Sequence, residues 1–253
     1  MKKALRMLAA LGVAVTVMAG GSLTVHAVRA EGLMHQEPVA GMVMWPEGAE
    51  ASQATFLISY SYPQLKPENQ ADESINRYYQ DLAADMGSLV QQTGDGERSQ
   101  IDISCDITHH SQRYVSIVQT LASLGGNGAY ESLAADTFAR DGVYAGQPVT
   151  LSQVLGLEEE DELSTAESTA ETLAYDLVWQ IVERGMENAE NDYLAGLTQA
   201  DLEHAFLPET DFYLDADGNV VFFIQAGEIA GEIAGILRFP FAPAELLSTL
   251  AEK

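Results

Sequence analysis

A single cysteine, Cys105, occurs in 253 residues, so no intrachain disulfide can form and the fold has to be held by its core. Basic residues are also scarce. Twelve Lys and Arg stand against 38 Asp and Glu, a formal charge of −26. A body this acidic is repelled by phosphate backbones and anionic lipid head groups, which argues against nucleic acid as a partner and for cationic ones. The plainer reading of the same acids is a solvated surface. No Gly-x-Ser-x-Gly elbow, no His-Glu-x-x-His and no phosphate-cradling loop occurs. Neither catalysis nor a cofactor is therefore expected, and paired carboxylates in a chain with 38 acids decide nothing.

Long apolar runs are confined to the N-terminus. Lys2, Lys3 and Arg6 precede an apolar core from about Leu8 to Met18, which Gly20 and Gly21 interrupt. Val25-His-Ala27 or Val28-Arg-Ala30 then places small residues where a signal peptidase cuts, so residues 1–30 read as a secretory signal peptide. Its removal takes away Lys2, Lys3, Arg6 and Arg29 and no acid, leaving eight bases against 38 acids, a formal charge of −30. An uncleaved anchor is the alternative, since the run stretched to Val28 approaches the ~20 residues of a membrane span. The absence of cysteine near the leader excludes a lipoprotein anchor. The body is expected outside the cytoplasm, in the cell envelope, with no membrane insertion once the leader is cut.

What remains is expected to form two α+β subdomains, 31–157 and 158–253, with antiparallel sheets packed against a few helices. A short strand is predicted at Met42–Trp45. Phe56, Ile58, Tyr60 and Tyr62 alternate with Ser59 and Ser61, a strand with one buried side that Pro63 stops. From Pro67 to about Gln92, Ile75, Tyr79, Leu82, Met86 and Leu89 form a helical stripe, with Asp72, Glu73, Arg77 and Asp85 largely elsewhere. Strands follow at Gln100–Ile107 and Arg113–Leu121. The first alternates Ile101, Ile103, Cys105 and Ile107 with polar residues, a one-faced pattern that favours antiparallel pairing and a buried, inert thiol. Thr108–Gln112 reads as the turn between them, Leu124–Ala129 as a loop and Tyr130–Ala139 as another strand. Asp141-Gly142 is a turn and Thr150–Leu155 a short helical turn. In the C-terminal part, Glu158–Glu162 is a solvated acidic run, and Ser164-Thr-Ala-Glu167 has capping-box spacing. The helix behind it carries Leu173, Leu177 and Ile181 and closes near Gly185. Thr198-Gln-Ala-Asp201 caps a short helix containing Leu202 and Phe206.

Asp211–Leu246 organises the C-terminal part. Phe212–Leu214 and Val220–Ile224 flank Asp215-Ala-Asp-Gly218-Asn219, a hairpin whose turn needs a positive φ that glycine supplies. A third strand at Ile236–Phe241 would complete a small antiparallel sheet. The acids of the turn resemble a calcium loop, but the frame places Tyr213 at position 1 and Ile224 at position 12, so no calcium is expected. His109-His110 has no third ligand at a recognisable spacing, and no metal site is expected there either. Ala226–Gly235, between the second and third strands, repeats Gly-Glu-Ile-Ala. If it is helical, Glu228 and Glu232 share a face able to chelate a cation or meet a basic group. Otherwise it is a mobile connector whose isoleucines pack and whose acids face water. The ligand-binding candidates are Tyr213, Gln225, Glu228, Ile229 and Glu232.

Three stretches carry a family resemblance. They are Tyr62-Pro63-Gln-Leu65 with Ile75-Asn76; Val115-Ser-Ile117 leading through Gly125-Gly126 to Gly146-Gln-Pro-Val-Thr-Leu151; and Phe212–Gly218, Val220–Ile224, Glu228-Ile229-Ala230, Gly235 and Phe239-Pro240-Phe241. In order and spacing the chain resembles, from about Thr55 to Leu246, the extracellular region of RsiV-type anti-sigma factors, the lysozyme-responsive class. The same paired domains of unknown function precede the catalytic domain of some peptidoglycan deacetylases. The resemblance implies an exported sensing or binding protein without catalysis, its ligand a cationic protein such as lysozyme or a wall component. The alternatives are an accessory domain or enzyme acting on a cell-wall glycan, and a purely structural envelope protein. Where such proteins carry a Tyr before Glu-Ile-Ala and a Pro-Tyr after it, this chain carries Gly227 and Gly231-Glu232. Neither an anti-sigma segment ahead of the leader core nor a deacetylase domain is expected.

Overall fold

A computed structural model of the chain describes residues 37–93, 99–125, 128–157, 163–188 and 191–251. The architecture is α+β, with two sheets and five α-helices among the described residues. Two compact units are present. One takes the described residues up to Ile107 together with those of Val118–Ala134; the other takes Thr108–Ile117 and the described residues from Ala135 on. The leader and Glu158–Glu162 lie outside the described residues.

The first unit holds β1 (Val39–Trp45), β2 (Phe56–Tyr62) and α1 (Gln70–Thr93), with most of β3 (Ser99–His110) and the adjoining lengths of β4 (Tyr114–Gly125) and β5 (Gly128–Ala139). The strands follow the order β1-β2-β3-β4-β5. β1 pairs with β2 antiparallel, but β2 pairs with β3 parallel, setting Ile58 beside Ile101 and Tyr60 beside Ile103. The one-faced pattern of β3 favours antiparallel neighbours. α1 is the reason for the parallel one, because a helical crossover of 24 residues carries the chain back to the end from which it started. Gly41 lies opposite Tyr60, and a Cβ there would overlap the Tyr60 ring and hydroxyl.

Ile75, Tyr79 and Met86 of α1 are buried with Phe56, Ile58 and Tyr62 of β2. The rings of Tyr60, Tyr62 and Tyr79 stack in series with centroids 5.5 and 5.4 Å apart. Asp72 departs from its expected place on the solvent side and is fully buried. Its carboxylate turns back to accept the Glu68 N–H at 2.9 Å, while Asn69 accepts the Asp72 N–H at 3.0 Å. These bonds satisfy backbone donors at the helix start. Asn76 clamps Leu65 by accepting from its N–H at 2.7 Å and donating to its carbonyl at 2.9 Å. Cys105 is half-buried rather than enclosed.

The second unit contains α2 (Leu151–Leu155), α3 (Leu163–Met186), α4 (Gln199–Ala205), β6 (Phe212–Leu214), β7 (Val220–Ile224), β8 (Leu237–Phe241) and α5 (Pro243–Ala251). β6, β7 and β8 form the expected antiparallel sheet. β7 is central and buried at all five residues, and Pro240 is tolerated because β8 is an edge. Ala170, Ala174, Val178 and Val182 of α3 join Leu202, Phe206, Phe222, Phe239, Phe241 and Leu246 in one core. α3 begins at Leu163, and the side chains of the Ser164–Glu167 capping box lie outside the described residues. At α4 the same reading holds. Thr198 is the N-cap, and Asp201 accepts from its N–H at 2.8 Å and its hydroxyl at 2.6 Å. Those bonds hold the Asp201 carboxyl below its ordinary value.

Candidate functional site

The segment joining β7 to β8 was expected to be either helical or loose, and it is neither. Gln225–Ala230 runs as turns, and Glu232–Ala234 forms a single 3-10 turn. Gly227 and Gly235 have φ of 86° and 68°, in the left-handed region that favours glycine. Glu228 and Glu232 are both exposed and share no helical face, and the Glu232 stem lies over Gly227. The chelating arrangement is thus absent.

Ile229 and Ala230 point the other way. Ile229 is fully buried and belongs to the core, so as a ligand-binding residue it is corrected to an anchor. Next to them, Tyr193 bridges to Ala230 in antiparallel fashion. Leu194 N–H donates to the Ile229 carbonyl and Gly231 N–H to the Asp192 carbonyl, both at 3.0 Å. The segment 191–196 therefore straps the Gly-Glu loop to the molecule. Ala234 N–H closes the tip on the Gly231 carbonyl at 2.9 Å. At that tip Ile233 is 99% exposed, against the expectation that the isoleucines pack. A large apolar side chain is thus held out by a tied loop, next to Glu232 in the chain.

The remaining candidates divide. Gln225 is half-buried at the loop's root. Tyr213 stays in the sheet, opposite Val221, with its ring 6.4 Å from that of Phe223. Burial pushes its phenol up, opposed by the Arg238 guanidinium that hydrogen-bonds it. Sequence reasoning missed Asp192, Tyr193 and Leu194. Their turn-rich surroundings look like linker, and only the pairing with 229–231 gives them a place.

The metal-like motifs also resolve. The Asp215 carboxylate accepts from Asp217 N–H, Asn219 N–H and the Asn219 side-chain amide, each at 2.9 Å. It is spent on the turn. Thr108–His110 belong to β3 and not to the turn, which narrows to Ser111–Arg113. Successive strand residues point to opposite faces, so His109 and His110 cannot chelate together. His109 donates from Nδ1 to the Asp215 carbonyl at 2.8 Å, since a carbonyl can only accept. Among the described residues no group of three or more His, Cys, Asp and Glu is placed to hold a metal. No helix among them is long and apolar enough to cross a membrane.

No family model matches the chain, and no curated protein matches it. Among solved structures it is similar to a DUF3298 family protein from Pseudomonas aeruginosa PAO1, with a TM-score of 0.51, 14% identity and coverage of 83% of this chain and 91% of that one. It is also similar to a member of the DUF3298 family from Bacteroides fragilis, with a TM-score of 0.45, 12% identity and coverage of 83% and 95%. The likeness to the Pseudomonas protein runs over most of both chains and is one of fold, that of a domain of unknown function.

Proposed function

We propose that the protein is an exported, non-catalytic binding or sensing protein of the cell envelope, of RsiV-like type, whose ligand is a cationic protein such as lysozyme. The observation that carries this reading is the strapped loop tip, which holds Ile233 in solvent, with the exposed acids Glu228 and Glu232 in the same loop. An apolar anchor rimmed by acids suits a partner that offers an apolar depression among Lys and Arg. The fold shared with a DUF3298 protein and the order of the sequence motifs support the same reading.

The test is retention of the purified protein on immobilised lysozyme at roughly 0.05 M and 0.5 M NaCl, a range that strongly shortens the screening length. Retention at low salt that Ile233→Ala weakens is the expected result. No retention, together with release of soluble fragments from peptidoglycan by the same preparation, would replace this reading with that of a wall-active enzyme.

A further inference from the structure

Beside the strapped loop lies a pocket of about 350 Å³, lined by Met186, Asn188, Asp192, Tyr193, Leu194 and Gly196. Two glycines seat its two chemically distinctive side chains. Gly185, in the last turn of α3, lies under the Tyr193 ring, where a Cβ would come within 2.7 Å of Cε2. Gly231 lies under the Asp192 carboxylate, which a Cβ would overlap. Asp192 itself has φ of 54°, a left-handed conformation that Asp tolerates better than most residues. Among the described residues its carboxylate makes no hydrogen bond or ion pair. Arg184, the nearest base in sequence, is turned back along the helix to the Gln180 carbonyl at 2.9 Å.

We propose that this pocket receives an arginine side chain of the partner. A guanidinium lies flat on an aromatic face and forks onto a carboxylate, and the alkyl stem packs on apolar walls such as those of Met186 and Leu194. Other ligand classes fit less well. An anion would meet Asp192 and, among the described lining residues, no base. An apolar group would strip water from the carboxylate without pairing it. A metal ion would find one carboxylate and no further acid, histidine or cysteine among the described lining residues. A second copy of the chain would bring another excess of negative charge to the same face.

The inference rests on the reading above, in which this face meets a cationic protein, and the two can fail separately. The probe is N-acetyl-arginine methylamide followed by amide chemical shifts, with the isosteric, uncharged citrulline derivative as control. Saturable shifts at Tyr193 and Leu194 are expected, with the citrulline derivative roughly tenfold weaker or worse, as the loss of a charge-assisted pair implies. Asp192→Asn keeps the shape and left-handed preference and removes the charge; Gly231→Ala keeps the charge and displaces it. Both are expected to weaken the arginine response with unchanged circular dichroism. Equal responses to the two derivatives, shifts confined to other surfaces, or an unaltered Asp192→Asn protein would overturn the pocket. Lysozyme retention that Asp192→Asn leaves unchanged would overturn it too, while leaving the broader function in place. Conversely, a charge-specific arginine response in a protein that does not retain lysozyme would uphold the pocket and remove lysozyme as the partner.

Discussion

Ile229 and Ile233 occupy equivalent places in a repeated tetrapeptide and have opposite environments. Ile229 is in the core and Ile233 stands in solvent. Ile229→Ala is expected to cost about 3 kcal/mol, a typical loss for truncating a buried aliphatic side chain, read as a lower urea midpoint at constant m-value. Ile233→Ala should stay within about 0.5 kcal/mol of the parent and act on binding instead. Tyr175 gives a second residue-level test. Its hydroxyl donates to the Phe206 carbonyl at 3.1 Å. Burial, then the charges of Glu171, Glu203 and Asp211, push its pKa up to about 12 from 10.0. A pKa raised by folding means stability that is fully present below the ordinary value and lost as pH rises through the folded one. Tyr175→Phe should therefore be less stable at pH 8 by about 1 kcal/mol, the net worth of a hydrogen bond, and the gap should close between pH 10 and 12. Tyr130, Tyr193 and Tyr213 are raised as well but are common to both proteins, so their contributions cancel in the comparison.

At the scale of elements, the stretches that carried the family resemblance turn out to be positions where backbone groups are satisfied. Asn76 clamps the chain at Leu65. Ser116 accepts the Leu214 N–H at 3.0 Å and meets the Thr137 hydroxyl at 2.9 Å, joining β4 to β5 and β6. The β6–β7 hairpin follows the same logic, with Asp215 holding three donors of its own turn and His109 bracing the Asp215 carbonyl. Asp215→Ala is expected to destabilise the protein by about 2 kcal/mol through those orphaned donors. Added calcium should leave the melting temperature of the parent protein unchanged. A calcium-dependent rise would restore the metal reading of this turn.

At the scale of the whole molecule, the excess of acids acts through its field rather than through any one contact. Six bases, Lys66, Arg77, Arg113, Arg140, Arg184 and Arg238, lie in the described residues, and Arg140 is buried. The surface therefore offers few fixed cations to offset the acids. Association with a cationic protein should be fast at low salt and slow steeply as salt rises, with dissociation much less affected, because steering acts on encounter. Stopped-flow rates with lysozyme across ionic strength check this.

Much was legible along the chain because it depends on neighbours in sequence. The α+β class, the one-faced strand Phe56–Tyr62, the stripes of α1 and α3, the Thr198 cap and the three-stranded hairpin sheet all follow from periodicity, caps and turn chemistry over a few residues. The parallel pairing of β2 with β3, the burial of Asp72 and the divergence of Ile229 from Ile233 were decided only by tertiary structure. So was the candidate site. Nothing in sequence joins Asp192-Tyr193-Leu194 to Ile229-Ala-Gly231, about forty residues on, yet a few backbone hydrogen bonds and two glycines do. Local rules fix which face of an element is apolar, whereas which distant segment covers that face, and which side chain is left outside, is settled by packing.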